Sequence, residues 1–171
     1  MSGVDAVTDP EAQTYHVPRL LRSAEALCAD GRQLRGRVFL PASGGGRSGA
    51  MRADEWLNEA PAFFPFLPDG EGLPIMLNKH ELVSLTVAAS ADQDEASELV
   101  AGPLRRVVVE CAGQRLEGEL LIDMPENHRR VLDLLNRAEA FLTVRVGDRH
   151  HLVRKARITC VVELAGAPRT P

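Results

Sequence analysis

Along residues 31–40 apolar and polar positions alternate. Leu34, Gly36, Val38 and Leu40 fall on one side, Arg35 and Arg37 on the other. A period of two predicts a half-buried strand. The alternation returns at Leu116, Gly118, Leu120 and Ile122, with Glu117 and Glu119 facing outward. Asp30-Gly31 precedes the first run and Ala112-Gly113 the second, which is hairpin chemistry because glycine tolerates positive φ. The incoming strand is Val-rich at 105–111. Its counterpart is ambiguous: Leu20, Ala24 and Leu27 also fit helical spacing, and Pro18 could open such a helix. A glycine inside a strand weakens it, so Gly36 and Gly118 are expected at a bend or a close backbone approach.

The period then changes. Ala53, Trp56, Leu57 and Ala60 recur at i, i+3, i+4 and i+7, as do Val131, Leu134, Leu135 and Ala138. Short amphipathic helices are predicted over 50–60 and 129–138, with Ser48 and Asn127 as caps. Asn58 and Asn136 fall near the helix ends, where an amide satisfies terminal carbonyls or a neighbouring loop. Strands follow at 63–67 and 75–87, and at 141–146 and 150–164. Asn78-Lys79 and Arg154-Lys155 interrupt the longer segment of each pair with a turn.

These parallels amount to an internal repeat. Gly31, Leu34, Gly36 and Leu40 match Gly113, Leu116, Gly118 and Ile122 at an offset of 82. Leu57-Asn58, Ala60, Ala62 and Phe63 match Leu135-Asn136, Ala138, Ala140 and Phe141 at 78. Residues 76–85 match 152–161 at 76. The offset changes only in loops, at 43–49 and 69–72, as a duplication requires. The expected organisation is a flexible segment over 1–18, a first repeat over 19–88, an acidic linker over 89–103, a second repeat over 104–164 and a tail over 165–171. The favoured conformation of 24–29 is then a strand, by analogy with the second copy.

The 171 residues are 44% hydrophobic, enough for one medium or two small cores. Aromatics are 4%, which argues against a base-stacking surface. The net charge of −4 lacks the basic surplus of a dedicated nucleic-acid binder. Cys28, Cys111 and Cys160 are far apart and form no CxxC pair, so they read as small buried residues in a reducing compartment. Residues 1–11 are polar and acidic, unlike a signal peptide, and no apolar run has bilayer length; a cytoplasmic protein with no membrane partner is expected.

The motif Asp30-Gly31-Arg32 with Gly36, followed by Met76-Leu77-Asn78-Lys79 with Leu82 and Leu85, resembles the Sm-like small-barrel superfamily. In the second copy the matching residues are Gly113-Gln114-Arg115 with Gly118, then Leu152-Val153-Arg154-Lys155 with Ile158 and Val161. The resemblance implies a mainly β (β+α) fold of two tandem Sm-like small barrels, each a hairpin, a helix and two or three strands. It is similar to tandem proteins of GC-rich bacteria. Two features depart from the family: Asn-Lys and Arg-Lys stand where Arg-Gly closes the family's motif, and its uridine-contacting Asp and Asn have no match. An inserted amphipathic helix takes their place.

Catalytic chemistry finds little footing. His150-His151 is the one adjacent histidine pair, and strand neighbours face opposite ways, so the two cannot chelate one ion. No GxSxG elbow occurs. The Gly-rich 43–49 stretch lacks a Gly-Lys-Ser/Thr ending. Arg105-Arg106 and Arg129-Arg130 could form arginine clusters for a cyclic dinucleotide, but the Asp/Asn-x-Ser-x-x-Gly element expected with them is missing. Residues 104–164 hold eleven basic and nine acidic side chains, against eight and eight in 19–90. Neither an enzyme nor a cofactor is expected. The leading reading is a protein-interaction or assembly module with a protein partner or itself, as a homo-oligomer. Leu82, Leu85, Ile158 and Val161 mark its candidate interface strands. The alternative is RNA or nucleotide binding through the basic turn, with Arg149, Arg154, Lys155, Arg157, Asn78 and Lys79 as contacts.

Overall fold

The computed structural model describes residues 19–41, 51–59, 61–89, 102–125 and 130–165. Strands form where the alternation predicts them, to within a residue or two at their ends. The ambiguous first segment is β1 (Arg19–Cys28), hairpinned to β2 (Gln33–Pro41) in continuous register from Arg19↔Pro41 to Leu27↔Gln33. Cross-strand pairing outweighs the helical spacing of Leu20, Ala24 and Leu27, because it buries Ala24 and Ala26 on one face. Gly31 and Gly113 turn the hairpins at φ 85° and 76°.

Helix α1 (Ala53–Asn58) and strands β3 (Phe63–Pro68) and β4 (Ile75–Asn78) follow. A 3-10 turn (Lys79–Glu81) leads into β5 (Leu82–Ala88). The second half runs through the same succession. It comprises β6 (Leu104–Cys111), β7 (Gln114–Leu121), α2 (Val131–Leu135), β8 (Phe141–Val146), β9 (Arg149–Arg154), a 3-10 turn (Lys155–Arg157) and β10 (Ile158–Glu163). Both helices are shorter than their periodicity suggests and start at Arg52 and Arg130 without a side-chain cap. The expected caps Ser48 and Asn127, the Gly-rich stretch, most of the linker and both terminal segments lie outside the described residues.

The strands form one antiparallel sheet in the order β10-β6-β7-β8-β9-β5-β1-β2-β3-β4. Each half contributes five consecutive strands, joined where β9 pairs with β5 from Ser84↔Val153 to Ala88↔Arg149. β5 is therefore an interior strand, not the open edge expected of Leu82 and Leu85; both are fully buried. Among the described residues β10 pairs with β6 alone, and the opposite edge is β4.

Two apolar clusters lie along this sheet. One gathers Val38, Leu40, Leu57, Phe66, Leu82 and Leu85 of the first half and takes in Phe141 and Leu152 from the second. The other gathers Val107, Val109, Leu120, Ile122 and Val144 of the second half and takes in Val83 from the first. The strands at the junction thus serve both clusters with alternate residues: Leu82 and Leu85 to one and Val83 to the other, Leu152 to one and Val153 to the other. Gly36 and Gly118 sit at close approaches. A Cβ on Gly36 would run into the Leu67 carbonyl oxygen, and one on Gly118 would lie 2.5 Å from the Arg145 carbonyl oxygen.

Candidate functional site

The two lysines of the chain, Lys79 and Lys155, do the same local work. A short helix leaves its last carbonyls without intrahelical donors. Lys79 Nζ donates to the carbonyls of Trp56 and Glu59 at 3.2 and 3.1 Å, closing α1, and lies 5.7 Å from the Trp56 ring centre. Lys155 Nζ donates to the carbonyls of Leu134 and Arg137 at 3.1 and 3.0 Å, closing α2. Lys79 is 6% exposed. Burial lowers the pKa of both ammonium groups, with Glu59 opposing the shift at Lys79 and Glu139 at Lys155. Both residues predicted as ligand contacts thus point their charge at helix ends.

The remaining predicted contacts are divided. Arg154 reaches across the junction: Nη1 donates to the Lys79 carbonyl at 2.8 Å, Nη2 lies 3.0 Å from His80 Nδ1, and the guanidinium packs 5.7 Å from the centre of the Phe141 ring. Asn78 caps its own turn, its Oδ1 accepting from the His80 N–H at 2.9 Å. Asn78, Lys79 and Arg154 are therefore brought together. Arg157 sits 3.7 Å from Glu81, and Arg149 lies 3.4 Å from Glu25. The basic turn is largely spent on contacts between the two halves.

The junction also contains a polar clamp at Asn58, the helix-end amide expected to satisfy nearby backbone, whose partner in the other half the sequence did not show. The Phe141 N–H donates to Asn58 Oδ1 at 2.9 Å, and Asn58 Nδ2 donates back to the Phe141 carbonyl at 3.4 Å. Asn58 stands at the end of α1 and Phe141 at the start of β8, so the helix of one half grips a strand of the other. On the opposite face, Thr86 Oγ1 and His151 Nδ1 are 3.0 Å apart between β5 and β9. Burial first, then Arg149, lowers the His151 pKa from 6.5.

A cleft of about 280 Å³ flanks the clamp, lined by Arg52, Asp54, Asn58, Thr143 and Arg145 among others. Its ionic groups include the internal pairs Arg52–Asp54 and Arg137–Glu139, each at 2.7 Å. A second cleft, of about 230 Å³, lies beside His151 and Thr86. Among the described residues no group of His, Cys, Asp or Glu could hold a metal ion. Cys28 and Cys111 are buried, whereas Cys160, expected to be buried, is exposed on β10. It lies on the open side of the sheet, its thiol donating to Glu110 at 3.3 Å. No helix of the described residues is long and apolar enough to cross a membrane.

The two open edges differ from the junction in what they expose. At the β3–β4 edge Phe63 and Met76 are each 60% exposed, while Phe141 and Leu152, at the corresponding places in the second half, are 4% and 1% exposed. On the β10 edge Ile158 and Val161 are half-buried, while their counterparts Leu82 and Leu85 are fully buried. Asn136, the counterpart of Asn58, is exposed. The sequence pointed to Ile158 and Val161 but missed Phe63 and Met76, because both halves carry the same apolar signal and one half alone is covered. The chain matches no protein-family model, no curated protein and no solved structure.

Proposed function

We propose that this protein is a non-catalytic assembly module: two small barrels in tandem that recruit a protein partner by strand addition at the ends of a shared sheet. Each half is read as one barrel of five strands, the second derived from the first by duplication. The observation that carries the reading is the pair of open edges. Among the described residues, β4 and β10 each leave one side of their backbone unpaired beside apolar side chains, namely Phe63 and Met76 at one end and Val161 and Val162 at the other. Backbone pairing supplies affinity in such a mode, and neighbouring side chains supply selectivity.

The RNA reading has less support. Lys79 and Lys155 are engaged at helix ends, and Arg154 bonds to the first half. The cationic turn that would meet phosphates is committed to intramolecular partners.

The test is a photo-crosslinking residue placed at Met76, and separately at Val162, in cells that make the protein naturally. Protein adducts at both positions support the reading. RNA adducts alone, or no adduct at either position, overturn it.

A further inference from the structure

Resting on that reading, we propose that the partner at these edges is a second copy of this chain, docked head to tail: β10 of one copy pairs with β4 of the next in the register that joins β5 to β9 within the chain.

The junction inside the molecule defines what a complementary pair looks like. One side is a socket, made by β5 and α1 and lined by Leu57, Leu82 and Leu85. The other side is a plug: Phe141 and Leu152 leave their own half and enter the core of the first. The Asn58 amide locks the Phe141 backbone in place. Each component recurs, unfilled, at the ends of the chain. The second half has the socket, formed by β10 and α2, with Leu134, Leu135, Ile158 and Val161 only partly buried around it. The first half has the plug, Phe63 and Met76, standing in solvent.

The strand registers agree. β5 meets β1 with a bulge between Cys28↔Leu82 and Leu27↔Ser84, and β10 meets β6 with a bulge between Cys111↔Ile158 and Glu110↔Cys160. The irregularity falls at the same place, so β5 and β10 offer their free sides alike. β3 pairs β4 through Phe63↔Asn78, as β8 pairs β9 through Phe141↔Arg154. Transferring Ser84↔Val153, Leu85↔Leu152 and Thr86↔His151 to the ends gives Cys160↔Leu77, Val161↔Met76 and Val162↔Ile75. Asn136 would then grip the Phe63 backbone of the next copy. A contact between unlike surfaces is heterologous, so repetition builds a closed ring or a filament.

The test uses two variants of the full chain and the mass in solution. Met76→Lys with Phe63→Ser removes the plug at positions that are each 60% exposed. Val161→Pro breaks the socket strand, with its melting curve taken alongside. Because that proline could disturb β6–β10, Asn136→Ala serves as a second socket variant and should weaken association about tenfold. The wild type is expected to be larger than a monomer. The plug variant alone and the Val161→Pro variant alone are monomers, and their mixture forms a one-to-one dimer that grows no further.

A monomeric wild type, a plug variant that keeps the wild-type mass, or a mixture that stays monomeric overturns head-to-tail docking. Crosslinks from Met76 and Val162 to a different protein, found together with a monomeric wild type, would reject this partner and leave the assembly reading standing.

Discussion

Replacing Lys79 by Met keeps most of the buried stem and deletes the ammonium group. Two charge-assisted hydrogen bonds, at 3.2 and 3.1 Å, are lost from the end of a six-residue helix. Each such bond contributes about 1.5–3 kcal/mol. Three offsets reduce the sum. The Trp56 carbonyl still accepts from the Glu59 N–H at 3.2 Å, Glu59 is exposed and its carbonyl can turn to water, and burial of the charge is itself unfavourable, as the lowered pKa of Lys79 shows. A net loss of about 2 kcal/mol remains, which for a chain of this length lowers the melting temperature by roughly 4–8 °C. Trp56 is the one tryptophan and is buried beneath the ammonium, so its fluorescence reports the undocking of α1 directly. Lys155→Met, at a more exposed helix end, should cost less. The pH dependence has a defined sign. A lysine whose folded pKa lies below 10.5 binds fewer protons folded than unfolded as pH approaches that value, so its share of stability rises toward alkaline pH. The gap between wild type and Lys79→Met should therefore widen between neutrality and pH 10.5. A variant that melts within a degree of the wild type, with unchanged tryptophan emission, would refute the capping role and return Lys79 to the set of candidate ligand contacts.

Other consequences can be measured on the same preparation. Asn58→Ala leaves the buried Phe141 N–H without its acceptor and should cost about 1–2 kcal/mol in chemical denaturation, with amide exchange accelerated at Phe141 before the rest of β8. Gly36→Ala drives a methyl group into the Leu67 carbonyl and the Phe66 ring and should cost on the order of 3 kcal/mol, far more than an exposed Gly72→Ala, whose Cβ meets nothing. His151 should make the junction acid-sensitive. Its folded pKa lies below 6.5, so the stability it supports is present above that value and is lost as pH falls through the folded pKa. His151→Gln should flatten that part of the stability profile.

Much of this architecture was readable because strand and hairpin signals are local. The alternation at 34–40 and 116–122, the Gly turns and the close approaches at Gly36 and Gly118 depend on neighbours within a few residues or on an adjacent strand. Even the interruption at Asn78-Lys79 appears where predicted, as a 3-10 turn between β4 and β5. What eluded the sequence is what depends on how one half meets the other. Whether β5 is an edge or an interior strand is decided by β9, whose paired residues lie 61 to 69 positions downstream. Nor can composition distinguish a lysine that meets phosphate from one that caps a helix: Lys79 and Lys155 differ from surface cations only in the carbonyls that face them. The parallel between the two halves held one clue to this. The only two lysines in an arginine-rich chain fall at corresponding positions, where a compact ammonium with three donors fits a helix end better than a planar guanidinium.

The differences between the two halves bear on how strong the proposed contact between chains can be. Leu152 and Leu85 meet at the internal junction; Met76 and Val161 would meet between chains, with comparable apolar substance. Two substitutions weaken the outer joint. Arg154, which bonds the Lys79 carbonyl across the junction, corresponds to Asn78, whose side chain is already used by its own turn. Val87, buried beside His150, corresponds to Glu163, which would face Pro74, a residue with no N–H to give. The ladder between chains would therefore be shorter than the five residue pairs within the chain, with one cross-junction arginine contact fewer. On these terms the external joint would be the weaker of the two, and reversible. Dilution should separate chains without unfolding either half, and Asn78→Arg, which restores the missing guanidinium, should tighten the assembly. If Asn78→Arg leaves the dilution midpoint unchanged while Asn136→Ala shifts it, then Arg154 contributes little at the internal junction and the clamp at Asn58 carries the polar part of the contact.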